Sequence, residues 1–338
     1  MHSPRVRTRE LAADGRHVAV IATRVIHHIL PTKRLISNHP SSALTTAIPA
    51  RNTALACQPS GRAVDFVTPH FVRGCAGSCR LAYCHVNEAL GGRIEVSGNV
   101  EELLQAIHRH ICAQPWPRLA NRTDDRYYTY DFAPGTDVGL HYEATDWARV
   151  LRFFSEHPRA KGAFSLKYVN EALWRDVPVQ PGKVRARVSL LPEPIRRILE
   201  PTAPSISERL AAIPLLRAAG YEVDLNFSPL ICYEGWLDDY AALFALVAYA
   251  VPDGPAREGM KYEATLLSHR PAKRLRNQSE GRDEAEALLF NHDLQELVGA
   301  GDPHQMLRYR YELRRGILRE WRDLAARMLP WVGARHVG

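Results

Sequence analysis

Residues 183–228 read KVRARVSLLPEPIRRILEPTAPSISERLAAIPLLRAAGYEVDLNFS, and this stretch decides the fold. Its two ends, Lys183–Leu191 and Tyr221–Ser228, are short runs of apolar and β-branched residues, which predict strands. Between them, Ser205 or Ser207 can cap a helix whose apolar residues recur at helical spacing. A strand, a helix and a second strand in this order are typical of a parallel βα unit.

The same alternation continues on both sides of this unit. Further strands are predicted over Ala63–Val72, Arg93–Val96, Tyr127–Phe132, Gly162–Tyr168 and Tyr262–Ser268. Further helices are predicted over Val100–Cys112, Trp147–Ser155, Leu237–Val251, Asp283–Leu297 and Leu313–Leu329. The repeat predicts a parallel sheet, either doubly wound or closed into a barrel. No G-x-G-x-x-G follows the first strand, which weakens the dinucleotide-binding alternative.

The positive charge of the chain is concentrated at its N-terminus. Residues 1–62 hold nine basic and two acidic residues, which account for the whole formal net charge of +7. A protein that coats nucleic acid with a uniformly basic surface is therefore a poor fit. We expect a basic N-terminal extension over residues 1–60, with a loop over Asn38–Ser60, and a neutral globular body over residues 61–338.

The composition is that of an ordinary globular protein. Hydrophobic residues make up 46% of the chain and charged residues 24%, which is unlike a disordered protein. No apolar run approaches the roughly 20 residues that span a bilayer, and none near the N-terminus suits a signal peptide. We therefore expect a cytoplasmic protein with no membrane partner.

Three of the six cysteines lie within ten residues, after the first predicted strand. Cys75, Cys79 and Cys84 have the spacing C-x3-C-x4-C. Clustered thiols without a secretion signal favour zinc or an iron–sulfur cluster over disulfides. A zinc site lacks an obvious fourth ligand, because His85 directly follows Cys84 and is badly placed beside it. Three cysteines alone suit a cubane cluster with one open iron, and three reduced, buried thiols are the alternative.

These features resemble a known enzyme superfamily. A three-cysteine cluster after a first barrel strand, with an aromatic residue before its last cysteine (Tyr83-Cys84), resembles the radical S-adenosylmethionine enzymes. Later segments are similar, in order and spacing, to the spore photoproduct lyase family: Phe164-Ser-Leu-Lys167-Tyr, Arg187-Val-Ser189-Leu, Pro204-Ser-Ile-Ser-Glu-Arg209-Leu, Ser228-Pro-Leu-Ile-Cys232-Tyr-Glu234-Gly-Trp236 and Ser268-His269-Arg270. The resemblance implies an α/β fold, a partial (βα)6 TIM-like barrel of the radical S-adenosylmethionine kind over residues 61–338, with C-terminal helices.

The resemblance also implies cofactors and a substrate. Cys75, Cys79 and Cys84 would hold a [4Fe–4S] cluster, and S-adenosylmethionine would bind its open iron. Reductive cleavage of S-adenosylmethionine would give a 5′-deoxyadenosyl radical that abstracts hydrogen from the substrate, which in the lyases is a thymine dimer in DNA. A reductase or a flavodoxin-type protein is the expected electron donor.

Three polar residues match family positions near the cofactor. They are Thr136, Lys167 and Ser189. Each can donate a hydrogen bond to a carboxylate. For Lys167 the alternative is a solvated lysine at the end of a strand, and for Ser189 it is a polar residue inside the barrel.

Two features depart from the family pattern. The superfamily usually has C-x3-C-x2-C, so the loop here must accommodate two added residues for Cys84 to reach its iron. The lyases that act in spores also carry a cysteine after the third strand, which returns a hydrogen atom to the product radical. The matching stretch, residues 132–137, has none. Cys232 or a tyrosine (Tyr128, Tyr130 or Tyr233) is the substitute candidate, and an inert buried thiol is the alternative for Cys232.

A basic run follows the last predicted barrel strand. It comprises His269, Arg270, Lys273, Arg274 and Arg276. At the mouth of a barrel it could contact the phosphates of DNA, and an ordinary solvated run is the alternative. Three functions remain open: a lyase that repairs DNA, a radical S-adenosylmethionine enzyme with another substrate, and a non-catalytic metal- or nucleic-acid-binding relative.

Overall fold

The computed structural model describes residues 45–48, 55–79, 83–84, 90, 93–299 and 305–338. All of them belong to one compact unit, Ser37–Gly338. Most of the expected extension over residues 1–60 lies outside the described residues, so its boundary stays a prediction. Two strands are described there, β1 (Thr45–Ile48) and β2 (Gln58–Pro59), and β1 pairs in parallel with β5 (Ile94–Ser97). The predicted loop is wrong at this point, because threonine and isoleucine favour strands and β5 offers them an edge.

An eight-stranded sheet forms the wall of a partial barrel. Its strands are β2 (Gln58–Pro59), β3 (Phe66–Val67), β6 (Tyr128–Asp131), β7 (Ala160–Leu166), β8 (Val184–Ser189), β9 (Glu222–Leu230), β10 (Lys261–Leu266) and β14 (Gly333–Val337). The spatial order is β14-β10-β9-β8-β7-β6-β3-β2, and only β2 is antiparallel to its neighbour. Six parallel strands of this sheet lie side by side in chain order: β3, β6, β7, β8, β9 and β10. This order confirms the predicted partial (βα)6 barrel.

Helices follow the strands and cover the outer face of the sheet. They are α1 (Val100–Ala113), α2 (Trp147–Glu156), α3 (Ala172–Arg175), α4 (Glu193–Leu199), α5 (Ile206–Ala218), α6 (Trp236–Ala250), α7 (Pro271–Ser279), α8 (Asp283–Leu289) and α9 (Tyr311–Met328). Aromatic rings join the layers: Phe227 of β9 contacts Phe244 of α6 and Trp321 of α9. Of the helices described, none is both long and apolar enough to cross a membrane.

Two three-stranded sheets accompany the barrel. In the first, β4 (Val72–Arg73) pairs antiparallel with β5. In the second, β11 (Ser268–His269), β12 (Gln295–Val298) and β13 (Met306–Tyr309) are antiparallel. The helix predicted over Asp283–Leu297 is only half right, because α8 ends at Leu289 and β12 begins at Gln295. A turn separates them, in which the Asn291 carbonyl accepts hydrogen bonds from the N–H groups of Leu294 and Gln295.

Residues 183–228, the strand–helix–strand segment quoted first, fold as their local sequence signals predict. Ser205 is the cap of α5: its hydroxyl accepts from the Glu208 N–H, and the Glu208 carboxylate accepts from the Ser205 N–H at 2.7 Å. This reciprocal pair is a capping box, and it settles the choice between Ser205 and Ser207. Gly220 then turns the chain into β9 with a φ of +97°, where a Cβ would stand 2.3 Å from the Val179 carbonyl oxygen.

Charged side chains fill the barrel near the points where its strands begin. Glu222 of β9 lies 2.7 Å from Arg185 of β8 and 2.5 Å from both Lys161 of β7 and Arg335 of β14. Arg335 also pairs with Asp224 at 2.5 Å. These five side chains are almost fully buried and stabilise one end of the barrel, which leaves the carboxyl ends of the strands for function.

Candidate active site

The segment that carries Cys75, Cys79 and Cys84, here named the cysteine loop, follows β4 and lies beside the loop that follows β6. Gly74 begins it with a φ of +98°, and its N–H donates to the Gly135 carbonyl at 3.1 Å. A Cβ on Gly74 would stand 2.2 Å from the Arg93 carbonyl oxygen, so glycine is required at this approach. The cysteine loop therefore lies at the carboxyl ends of the first barrel strands, where βα barrels carry their chemistry.

Cys84 lies close to Cys79, although four residues separate them in the sequence. The N–H groups of Tyr83 and Cys84 both donate to the Cys79 carbonyl, at 3.1 and 3.0 Å. The Cys79 and Cys84 thiols form a hydrogen bond, and the Gly77 N–H donates to Cys75 Sγ at 3.4 Å. The structure thus brings the three predicted ligands into one loop.

Two of the three thiols, those of Cys75 and Cys79, are poor acids in their buried surroundings. Burial, with a further contribution from Asp137, raises the pKa of Cys75 to about 12. The hydrogen bond with Cys84, together with burial, raises the pKa of Cys79 well above its ordinary value. A metal that binds here must displace these protons.

The donor set suits a cluster better than a single ion. Across the described part of the chain, no three His, Cys, Asp or Glu side chains converge on one metal position. A cubane cluster has a different requirement, because each thiolate binds its own iron. Cys75, Cys79 and Cys84 therefore fit a [4Fe–4S] cluster that leaves one iron for a small ligand.

Lys167, directly after β7, lies in a charged cluster next to the cysteine loop. Its Nζ is 2.9 Å from Glu200 Oε1 and donates to the Tyr83 hydroxyl at 2.8 Å. Arg209 Nη2 lies 2.6 Å from the other Glu200 oxygen. Burial opposes the charge on Lys167, but the Glu200 carboxylate helps to hold its pKa well above the ordinary value. Burial also opposes the charge on Glu200, yet Lys167 and Arg209 lower its pKa to about 2.

The loop after β6 carries a hydroxyl group that lacks a hydrogen-bond partner. Thr136 Oγ1 is buried and bonds to none of the described residues. The neighbouring Asp137 accepts from the N–H groups of Lys167 at 2.6 Å and Leu140 at 3.0 Å, which ties this loop to the end of β7. A buried hydroxyl without a partner is costly. Thr136 and Lys167 therefore suit an anionic ligand, such as the carboxylate of the expected cofactor.

Ser189, the last residue of β8, is connected to the same cluster. Its carbonyl accepts from Arg209 Nη1 at 2.9 Å, and its hydroxyl accepts from Asn226 Nδ2 at 3.3 Å. Arg209 thus links the end of β8 to Glu200, and Glu200 links it to Lys167. The structure joins two of the predicted cofactor positions through residues that the sequence analysis did not assign to the site.

His141 is a further residue of the site that no sequence motif predicts. Its Nε2 accepts from the Ala76 N–H, inside the cysteine loop, at 3.0 Å. Burial lowers the pKa of His141 to about 4, so the ring is neutral and can accept this bond. His141 and Glu200 meet the cysteine loop only in the folded chain, and Arg209, which lies in a segment that resembles the family, is linked to it through Glu200.

Cys232 and Tyr233 lie next to other elements. The Cys232 N–H donates to the Tyr309 hydroxyl at 2.8 Å, its thiol bonds to the same hydroxyl, and burial raises the pKa of Cys232 to about 12. The Tyr233 hydroxyl donates to Asp239 Oδ2 at 2.8 Å. The hydroxyls of Tyr128 and Tyr130 bond to Pro115 and His110. The contacts described for these residues do not include the cysteine loop.

The basic run is only partly on the surface. His269 is 0% exposed and Lys273 is 2% exposed, so neither can reach a phosphate as the chain is folded here. Arg270 and Arg274 are half-buried, and Arg274 lies over the Phe290 ring and contacts His292 at 3.1 Å. Of the four predicted DNA-binding residues, these two arginines are the ones that solvent reaches.

An open parallel βα barrel that carries three cysteines in the loop after its first strand is typical of the radical S-adenosylmethionine enzymes, and comparisons with known proteins narrow this class. A family model described as spore photoproduct lyase matches residues 24–293. The chain therefore belongs to the spore photoproduct lyase family and is a radical S-adenosylmethionine lyase. The match begins ahead of residue 60, inside the segment expected to be an extension.

Curated relatives and solved structures agree with this assignment. The chain is 25% identical to the spore photoproduct lyase of Bacillus subtilis (strain 168) and 24% identical to that of Geobacillus sp. (strain Y412MC61), each over 73% of this chain and 69% of the relative. A mutant spore photoproduct lyase with bound AdoMet and dinucleoside spore photoproduct has the same fold, with a TM-score of 0.73, 20% identity and coverage of 87% of this chain and 82% of that one.

Proposed function

We propose that this chain splits a thymine photoproduct in DNA, with a [4Fe–4S] cluster on Cys75, Cys79 and Cys84 and S-adenosylmethionine as its cofactors. One observation carries the proposal: the cysteine loop lies beside Lys167 and the loop of Thr136 at the carboxyl ends of the barrel strands. The relatives support it, since two are named spore photoproduct lyase and a solved neighbour holds AdoMet and dinucleoside spore photoproduct.

The chain's own residues orient the cofactor and exclude water. The Lys167 ammonium and the Thr136 hydroxyl would bind the carboxylate of S-adenosylmethionine, with Ser189 as a third donor at the end of β8. When bound, the cluster and S-adenosylmethionine supply a carbon radical that abstracts hydrogen. The burial of Cys79, Tyr83 and Glu200 keeps that chemistry away from solvent.

The DNA partner would bind at the mouth of the barrel. A lesion base must leave the helical stack to reach the cofactor, which costs a few kcal/mol and is easiest at a damaged site. Arg270, Arg274 and Arg276 are the cations of the basic run that solvent reaches, and we assign Arg270 and Arg274 to the phosphates. His269 and Lys273 would contribute to this interface indirectly, as buried side chains that stabilise β11 and α7. A reductase or flavodoxin-type protein would supply the electron.

The hydrogen atom for the product radical needs a source other than the missing family cysteine. Residues 132–137 contain no thiol. Cys232 is our candidate, with Tyr309 as its hydrogen-bonded partner and Tyr233 as its neighbour in the chain. Substitution of Cys232 by alanine is expected to lower the yield of repaired thymines while cleavage of S-adenosylmethionine continues.

The missing cysteine also favours a second candidate function. A family member without this hydrogen donor could act on a substrate whose product radical needs no hydrogen atom from the protein. In that case irradiated DNA would leave the yield of 5′-deoxyadenosine unchanged, and another substrate would raise it.

Anaerobic reconstitution tests the cofactor assignment. The protein is expected to bind about four irons per chain and to show broad thiolate-to-iron absorption, both of which Cys84→Ala abolishes. Cys112→Ala is a matched control, because Cys112 is an exposed thiol on α1, and its iron content should equal that of the wild type. A colourless protein that binds only zinc contradicts the assignment.

A further inference from the structure

The carboxylate of Glu200 is the centre of the charged cluster beside the cysteine loop. Glu200 is 0% exposed, directly follows α4, and holds three partners at once. Oε1 accepts from the Tyr83 hydroxyl and pairs with Lys167 Nζ at 2.9 Å, and Oε2 pairs with Arg209 at 2.6 Å. One buried side chain thus contacts the cysteine loop, the end of β7 and α5.

Each of these partners occupies a position that matters to the cofactors. Tyr83 directly precedes Cys84, the ligand that follows the lengthened gap. Lys167 is the proposed cofactor-binding cation. Arg209 donates to the carbonyls of Ser189 and Pro204 at 2.9 and 3.0 Å, so it fixes the carboxylate from behind.

The charges of the cluster show what Glu200 prevents. Without its carboxylate, the Lys167 ammonium and the Arg209 guanidinium would face each other in a buried space, where like charges repel strongly. Lys167 would then have to move away from its present position. Tyr83 would lose the acceptor that holds the last residue before Cys84.

We infer that Glu200 is a positioning residue, which holds Lys167 in place for S-adenosylmethionine and, through Tyr83, holds Cys84 in place for the cluster. This inference rests on the proposed function and extends it to a residue that contacts neither cofactor directly. The anchor on Tyr83 also explains how a cysteine loop with two added residues keeps its last ligand near the first two.

Two variants separate the two roles of Glu200. Tyr83→Phe keeps the pair of Glu200 and Lys167 but releases the cysteine loop. It is expected to lower the iron content, while the loaded fraction binds S-adenosylmethionine as the wild type does. Glu200→Gln displaces Lys167 as well, and it is expected to weaken S-adenosylmethionine binding about 10- to 100-fold, the usual effect of losing a supporting partner.

Three readouts apply to the reconstituted full-length protein: iron per chain, equilibrium dialysis with S-adenosylmethionine, and the electron paramagnetic resonance spectrum of the reduced cluster with and without S-adenosylmethionine. Glu200→Gln should lose the spectral change that S-adenosylmethionine causes. Tyr221→Phe is the matched control, because the Tyr221 hydroxyl is a buried donor to the Leu173 carbonyl at 2.8 Å; it should match the wild type in all three.

If Glu200→Gln does not fold, Glu200→Gln with Arg209→Gln removes both members of the ion pair and leaves no uncompensated charge between them. This double variant removes the repulsion from Arg209 but still leaves Lys167 without its carboxylate partner, so it should bind S-adenosylmethionine more weakly than the wild type. Wild-type iron content and affinity in the Glu200 variants would overturn the positioning role alone. A wild-type protein that loads no iron would instead contradict the proposed function.

Discussion

At the scale of the single residue, close backbone approaches hold the site loops together. Gly139 follows the loop that carries Thr136, and a Cβ there would stand 1.7 Å from the Tyr168 carbonyl oxygen. That oxygen belongs to the backbone just after Lys167. The loop of Gly139 and the segment of Tyr168 therefore cannot move apart without displacing Thr136 or Lys167, the proposed cofactor contacts. No motif identifies such a glycine in the sequence, because its constraint comes from a distant strand.

Gly139→Ala should therefore be strongly destabilising. Forced overpacking of this kind costs about 1–3 kcal/mol, and we expect a clear fall in the thermal unfolding midpoint. Gly61→Ala is the control, since nothing lies within 4 Å of its added Cβ. A midpoint for Gly139→Ala equal to that of Gly61→Ala would mean that the two loops are not held as described.

The carboxylate of Glu222 is a single group that makes the free energy of unfolding depend on pH. Burial opposes its charge, but Arg185, Lys161 and Arg335 lower its pKa to about 2 from an ordinary 4.5. Because the folded-state pKa is the lower one, its contribution is complete above pH 4.5 and is lost as the pH falls toward 2. That difference corresponds to about 3 kcal/mol.

Urea unfolding at pH 6, 4 and 3 measures this contribution. The wild type should lose stability steeply between pH 4.5 and 3. Glu222→Gln should be less stable at pH 6, by about 3–5 kcal/mol because it leaves buried cations uncompensated, and should have a flatter profile below it. The same slope in both proteins contradicts the assignment.

At the scale of the element, the strand–helix order was predictable because short apolar runs and caps are local signals. The predicted β8 and α5 agree with the structure, and Asn99 caps α1. The predicted helix over Asp283–Leu297 failed at the turn before β12, where pairing with the next strand, β13, outweighs local periodicity. The cysteines were predictable from spacing alone, whereas Glu200 and His141 were not, because folding brings them to the cysteine loop from distant positions.

The cap of α5 offers a test of how this element is fixed. Ser205→Ala removes the side chain that accepts from the Glu208 N–H, and should cost about 1 kcal/mol. Ser207→Ala, two residues into the helix, should change stability by a few tenths at most. Denaturant unfolding measures the free energy of unfolding of both variants. A larger loss of stability for Ser207→Ala would mean that Ser207, and not Ser205, caps the helix.

At the scale of the whole molecule, the net charge gives no guide to the DNA-binding surface. The excess of basic residues lies in residues 1–62, and the body is neutral. Any contact with phosphate must therefore be local, and the structure limits the solvent-accessible part of the basic run to Arg270, Arg274 and Arg276. The fold and the cysteine loop define the chemistry, and this surface would bring the substrate to it.

Charge reversal at Arg270 and Arg274 tests that surface. The double variant to glutamate should weaken DNA binding and reduce the slope of log affinity against log salt by about 2, one for each phosphate contact. Arg109→Glu changes an exposed arginine on α1 and should have little effect. An unchanged salt slope in the double variant would remove Arg270 and Arg274 from the interface.

Repair of the photoproduct by this protein is tested by an anaerobic assay of the reduced, reconstituted protein with S-adenosylmethionine and an oligonucleotide that contains the thymine photoproduct. Chromatography follows the photoproduct, the restored thymines and 5′-deoxyadenosine. We expect the photoproduct to be converted to thymines by the wild type and not by Cys84→Ala. Formation of 5′-deoxyadenosine with no loss of photoproduct, in a protein with a full complement of iron, would contradict this expectation.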